Sequence, residues 1–114
     1  MKKGIGSTLD RLVQFRRATA TADPFGGSSI VWADHGEPVA AAREDVSDTE
    51  RVQAGVFRER SLIRFVVRSS EFTRDITAAD RVAHEGAIYA ISGVKEPQRG
   101  QRRQLLEFTV ESLT

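Results

Sequence analysis

The chain has 114 residues, 39% hydrophobic and 29% charged, a balance that fits a folded domain and excludes a disordered tail. Its 17 basic and 16 acidic residues leave a formal net charge of +1, which argues against nucleic-acid binding through bulk charge. Cysteine is absent, so disulfide scaffolds and thiolate chemistry are excluded and a reducing compartment suits the chain.

In chain order, Met1-Lys2-Lys3 leads into Gly4-Ile5-Gly6-Ser7 rather than an apolar core, so no signal peptide is expected. Residues 1–8 read as a flexible lead and 9–114 as one β domain. Leu12-Val13-Gln14-Phe15-Arg16-Arg17 alternates as a strand does. Asp23-Pro24-Phe25-Gly26-Gly27 then carries turn chemistry: proline pre-sets φ, the aspartate caps nearby N–H groups, and glycine tolerates φ > 0. A return strand through Ile30-Val31-Trp32 completes a long N-terminal hairpin, anchored by the chain's only tryptophan. His35-Gly36-Glu37-Pro38 interrupts it. Because proline donates nothing to a ladder, Pro38 implies an edge, a bulge or a bend before Val39-Ala40-Ala41-Ala42 resumes.

Arg43 to Gly55 is polar and charged. Ser47-Asp48-Thr49-Glu50 has capping-box spacing and Gly55 suits a helix end, so this segment reads either as a short helix or as an irregular loop. In the strand Leu62–Arg68, Ile63, Phe65 and Val67 face inward, while Leu62, Arg64, Val66 and Arg68 face out. Arg64 also breaks the longest apolar stretch, Leu62 to Val67, so no membrane span is expected. A link follows in which Phe72 and Ile76 pack over the sheet. Asp80–His84 forms a short strand, Glu85-Gly86 a tight turn, and Ala87–Val94 the partner strand. Lys95 to Gln101 is a polar loop with turn residues Pro97 and Gly100. The last strand turns Leu106, Phe108 and Val110 inward and Leu105, Glu107, Thr109 and Glu111 outward. The expected fold is mainly β: a small antiparallel barrel or sandwich of about six strands, with a long hairpin, a projecting charged loop and at most one or two short helical turns. Trp32 and Ile91 are expected beside its core.

Catalytic chemistry finds little support. His35 and His84 lie in a bend and a hairpin, without zinc spacing, and read as surface or turn residues. Gly4-Ile5-Gly6-Ser7 and Gly26-Gly27-Ser28 lack the Lys-Ser/Thr of a phosphate loop. Asp45, Asp48 and Glu50 share one segment, and spacing alone makes no acid–base pair of them. No enzyme, cofactor or metal site is predicted. Lys95, Arg99, Arg102 and Arg103 crowd one loop, either as solubilising charge or as a patch facing phosphate. Arg43-Glu44-Asp45 and Arg58-Glu59-Arg60 offer complementary charges suited to contacts between subunits.

The order of these features resembles the tailed-phage head–tail joining family, also called head-completion or stopper proteins. The resemblance rests on the strand opening at Leu9-Asp10-Arg11-Leu12-Val13, then Asp23, Gly26-Gly27 and Trp32, and the long loop from Arg43 to Gly55. It continues through Leu62–Arg68, Ile76-Thr77 with Asp80-Arg81-Val82, Glu85–Ile91 and Arg103–Phe108, covering about Leu9 to Ser112. Gly36 and Pro38 depart from a regular strand. The resemblance implies a virion protein at the head–tail interface, assembled in the host cytoplasm and not membrane-bound. It implies self-association in a cyclic ring, on the order of six or twelve copies. The ring would sit beneath the portal–adaptor complex, hold packaged DNA without sequence specificity, and present a surface to the tail terminator or tail tube. A phage, a prophage remnant and a gene-transfer particle are equally compatible.

The contact candidates are loops on a rigid scaffold: Asp23, Phe25, Gly26 and Gly27 at the hairpin tip, and Arg43, Glu44, Asp45, Asp48, Glu50, Arg51, Arg58, Glu59 and Arg60 in the charged segment. Two alternatives remain at this stage. A tail terminator has similar size and also forms rings. A small nucleic-acid-binding barrel would need aromatics on an exposed strand face, whereas Phe65 and Phe108 follow the inward pattern.

Overall fold

A computed structural model describes residues 9–46, 62–96 and 104–113. The first strand, β1 (Arg11–Ala22), is the organising element. Its alternation buries Val13 and Phe15 completely and leaves Leu12 exposed on the other side. Its C-terminal half runs beyond the barrel and pairs with β2 (Ser28–Asp34), from Arg16 opposite Asp34 to Ala22 opposite Ser28.

The turn between them follows from Asp-Pro-Phe-Gly-Gly. Asp23 Oδ1 accepts from the Phe25 N–H at 2.9 Å, and the Asp23 carbonyl accepts from the Gly26 N–H at 3.0 Å. Gly26 takes φ +92°, and the Asp23 N–H closes the loop on the Gly27 carbonyl at 2.8 Å. This is a three-residue hairpin loop, in which the left-handed position after the proline-led turn calls for glycine.

β2 and β3 (Val39–Asp45) both pair with β1, as pieces of one interrupted strand. Val13 lies opposite Val39 and Arg16 opposite Asp34, so the partner side carries two surplus residues between those points. The interruption at His35–Pro38 is therefore a bulge, as Pro38 implied. Gln14 Nε2 donates to the Gly36 carbonyl of the bulge at 3.0 Å and to the Phe15 carbonyl of β1 at 2.9 Å. The remaining strands are β4 (Leu62–Arg68), β5 (Arg81–His84), β6 (Ala87–Lys95) and β7 (Leu105–Ser112). A single helical turn, α1 (Glu71–Arg74), sits between β4 and β5, capped reciprocally by Ser70 and Thr73.

All pairings are antiparallel and run β1–β3–β4–β7–β6–β5, with β5 returning to β1. The sheet is thus a closed barrel, which removes edges from these six strands; β2 is the extra strand outside it. The barrel core contains Ile63, Phe65, Val67, Phe108 and Val110, as the alternation predicted, together with Phe15 and Ile91. Phe15 and Phe108 pack with ring centroids 5.3 Å apart. Ile76 is buried over one end, with Leu106 and Phe72 partly buried against the core.

Three sequence expectations need correction. Trp32 is outside the core: it lies half-buried at the root of the hairpin, beneath the Arg81 guanidinium 4.0 Å from its ring centroid. Its parity with outward-facing Arg16 and Asp34 decides this. His84 is no surface residue, because strand parity with Val82 turns it into the barrel, where it is 4% exposed. Its Nδ1–H donates to the Leu12 carbonyl at 3.0 Å, and its ring meets Phe65 edge-on. Val66 and Leu105 have outward parity yet are each only 2% exposed.

Candidate functional site

The feature that sets this barrel apart is the projecting arm formed by the distal halves of β1 and β2. Seven residue pairs hold it together, and at roughly 3.3 Å per residue it extends about 20 Å. Phe25 at its tip is 94% exposed, Ile30 on one face 68% and Val31 on the other 51%. From Ala18 to Ala33 the only charged residue is Asp23. Charge is therefore sparse along the arm, while an aromatic side chain stands exposed at its tip and an aliphatic one on each face.

Two consecutive arginines grip the root of the arm from opposite sides. Arg16, on the outer face, pairs with Asp34, and its second guanidinium nitrogen donates to the Trp32 carbonyl at 3.1 Å. Arg17 has inward parity. Its Nε and Nη2 each donate to the Asp80 carboxylate at 2.9 Å, and its Nη1 donates to Asp75 at 2.9 Å. Asp80 is only 3% exposed and also accepts from the Thr77 N–H at 2.9 Å. Burial pushes the Asp80 carboxyl up, but the bonds from Arg17 and Thr77, with the nearby positive charges, outweigh it and hold the carboxyl below its usual range. The bond to Asp80, then that to Asp75, raises the Arg17 guanidinium further.

On the same side, the His35 ring stacks on Phe72 at 5.2 Å, with its Nε2 3.8 Å from Asp75. His35, Glu71, Phe72 and Asp75 line an open cleft of about 550 Å³ at the arm's base. Gly36, at φ +72°, lies against Phe72 so closely that a Cβ would come within 2.5 Å of its ring. The arm therefore leaves the barrel at an angle fixed by an ion-pair clasp and a packed bulge.

The sequence-derived contact candidates separate into three groups. Asp23, Phe25, Gly26 and Gly27 come together at the arm's tip. Arg43, Glu44 and Asp45 end β3, where Arg43 pairs with Asp45 at 3.3 Å and Glu44 with Arg64 at 3.3 Å, so these charges already meet partners within the chain. Asp48, Glu50, Arg51, Arg58, Glu59 and Arg60 lie outside the described residues, as do the capping-box segment, Gly55, Arg99, Arg102, Arg103 and residues 1–8. Lys95 ends β6 and lies 3.7 Å from Glu107, which is also 3.3 Å from Arg64. A ladder of charges, Glu44–Arg64–Glu107–Lys95, thus crosses the outer wall of β3, β4, β7 and β6.

Sequence reasoning missed the clasp. Its signal was Arg17 itself: a charge at inward parity, two residues after Phe15, needs a buried carboxylate. Among the described residues, no group of three or more His, Asp or Glu side chains is arranged to hold a metal ion. None of their helices is long and apolar enough to cross a membrane. Phe65 and Phe108, which a base-stacking platform would expose, are fully buried.

The sequence profile of phage head completion proteins matches residues 6–112. No curated protein matches the chain. Among solved structures, it is similar to a protein in the virion of a native gene transfer agent particle, with TM-score 0.62, 27% identity, and coverage of 91% of this chain and 94% of that one. It also shares its fold with protein SF1141 from Shigella flexneri 2a, solved in solution, at TM-score 0.74 and 22% identity, covering 94% and 95% of the two chains.

Proposed function

The chain belongs to the phage head completion protein family, and we propose that it forms a ring beneath the portal and its adaptor, closes the DNA-filled head and presents the surface on which the tail docks. It is a structural virion protein, and a head–tail joining role is supported by its family and by its likeness to a gene-transfer-agent virion component. The observation that carries the finer reading is the arm: a ribbon with Asp23 as its one charged residue between Ala18 and Ala33, exposing Phe25, Ile30 and Val31 and held at its root, has no work to do in a solitary barrel. Preorganisation of this kind lowers the ordering cost of assembly. Loops at the two ends of the barrel then meet the adaptor, the tail and the packaged DNA, where a basic residue holds phosphate and an acidic one repels it.

Complementation tests this reading. Cells producing the particle without this chain should yield filled heads that leak DNA, beside unattached tails of normal length. Restoring the full chain should restore joined particles, whereas a chain lacking the arm beyond Ala18 and Trp32 should not. Electron microscopy and nuclease protection of the lysate read both outcomes. Tails of uncontrolled length, with heads intact, would instead mark a tail terminator. Joined, filled particles at normal yield without the chain would overturn the proposal.

A further inference from the structure

The arm leaves two backbone edges open, and its hydrogen-bond pattern says which residues hold them. The ladder closes at both ends on odd-numbered pairs: the His35 N–H donates to the Phe15 carbonyl at 2.8 Å, and the Asp23 N–H to the Gly27 carbonyl at 2.8 Å. Antiparallel alternation then turns the backbone groups of the even-numbered residues out of the ribbon. These are Ala18, Ala20 and Ala22 on the β1 edge, and Ser28, Ile30 and Trp32 on the β2 edge. On the β1 side, β5 reaches only to Arg81, opposite Arg16, so no strand among the described residues lies beside residues 18–22. On the other side β2 ends the sheet, and the Trp32 carbonyl at its root is capped by Arg16.

Proteins blunt such edges with charge, proline or a bulge. Here the register runs unbroken from Arg16 opposite Asp34 to Ala22 opposite Ser28, and residues 18–22 and 28–33 contain neither charge nor proline. A two-stranded ribbon is also marginally stable by itself and gains from further strands.

We infer that neighbouring copies join their arms edge to edge, the β1 edge of one pairing antiparallel with the β2 edge of the next, so that the arms form one continuous cylinder of strands. This rests on the ring proposed above and names its interface. Rotation about a ring axis points every arm the same way, which brings the β1 edge of each subunit to the β2 edge of its neighbour. Because β1 runs from root to tip and β2 returns to the root, the strands that meet are antiparallel. Pairing around a closed ring satisfies both edges of every arm at once. A strand from another protein would fill one edge of each arm and leave the other exposed. The Arg16 cap on the Trp32 carbonyl ends the shared ladder at the root.

Cysteine trapping inside assembled particles tests the pairing, since the chain has no cysteine of its own. Thr21 and Ser29 turn their backbone groups into the ribbon, so across a shared edge they meet as a non-hydrogen-bonded pair, in which the side chains lie closest. Thr21→Cys and Ser29→Cys chains are produced together in cells making the particle, and purified particles are mildly oxidised and read by mass spectrometry. Thr19→Cys with Ser29→Cys reads a ladder displaced by two residues. One of these mixed crosslinks should exceed the same-residue dimers several-fold. Dominant same-residue dimers, crosslinks to another virion protein instead, or thiols still free to react with maleimide would each overturn the inference. Particles that lack the chain's peptides altogether would overturn the connector reading, and this interface with it. A second variant reads the edge through its backbone: Ala20→Pro removes only an outward N–H, whereas Ala20→Ser keeps it. Both should keep the wild-type thermal midpoint within a few degrees, but only Ala20→Ser should support joined particles. Joined particles at normal yield from Ala20→Pro would likewise overturn the inference.

Discussion

Arg17 and Asp80, 63 positions apart in sequence, meet through two 2.9 Å hydrogen bonds at the point where β1 leaves the barrel. The pair joins the arm to the segment that follows α1, so the arm's direction and the seating of that segment are one structural decision. Removing either partner should therefore be costly, but unequally. Arg17→Ala leaves a carboxylate that is only 3% exposed without its main partner, and a loss of about 2–4 kcal/mol is expected. Asp80→Asn leaves Arg17 bonded to Asp75 and partly solvated, so about 1–2 kcal/mol is expected. Chemical denaturation of both variants and the double variant gives the coupling; equal losses from the two single changes would refute this account of the clasp.

The same pair sets an acid limit. The folded Asp80 carboxyl titrates below the ordinary value of 3.8, so its contribution is complete above about pH 4 and drains away as the pH falls through the folded value. Denaturation midpoints measured from pH 6 to pH 2 should show a decline in the wild-type chain that flattens in Asp80→Asn. A wild-type and a variant curve of the same shape would show that other carboxylates govern acid unfolding.

The barrel core was legible because strand alternation is a strict two-residue code. Phe65 and Phe108 sit opposite each other in the β4–β7 register and are both fully buried. Truncating either to Ala should cost about 3–5 kcal/mol, mostly through the cavity left behind. The turn chemistry of Asp23–Gly27 and the break at Pro38 were legible for similar local reasons. Whether the sheet closed was not, since closure depends on β5 reaching β1, a pairing with no sequence marker. Trp32 misled for a related reason. Its size suggested core, but its parity belongs with Arg16, and only the pairing of β1 with β5 brings Arg81 over it. His84 misled in reverse, because the turn that follows it concealed its inward parity.

Gly36 and Gly26 separate two costs that sequence alone merges. Both have φ > 0, but a Cβ at Gly26 meets nothing within 4 Å, whereas at Gly36 it would strike the Phe72 ring at 2.5 Å. Gly26→Ala should therefore cost about 1 kcal/mol of backbone strain. Gly36→Ala adds displacement of Phe72 and with it the His35 stack, for a total of about 2–4 kcal/mol. Thermal denaturation of the two variants would check the ranking, and its reversal would mean that the bulge at His35–Pro38 yields easily.

Ile30 and Val31 face opposite sides of the arm and are 68% and 51% exposed, so neither owes its place to the packing of its own chain. Replacing each by Asp should change folding stability by no more than about 0.5 kcal/mol. A charge placed on a surface that assembly must desolvate is costly there even though it is harmless in the free chain. Ile30→Asp is therefore expected to fold normally and to fail in complementation, leaving filled heads and free tails. Val31→Asp tests whether the second face of the arm is also covered. Failure of both variants would mean that the arm is enclosed on two sides within the joint; failure of Ile30→Asp alone would mean that it lies on a single surface. Normal particle yield from both would show that the arm's apolar faces stay in solvent throughout assembly, and the interface would have to be sought elsewhere on the barrel.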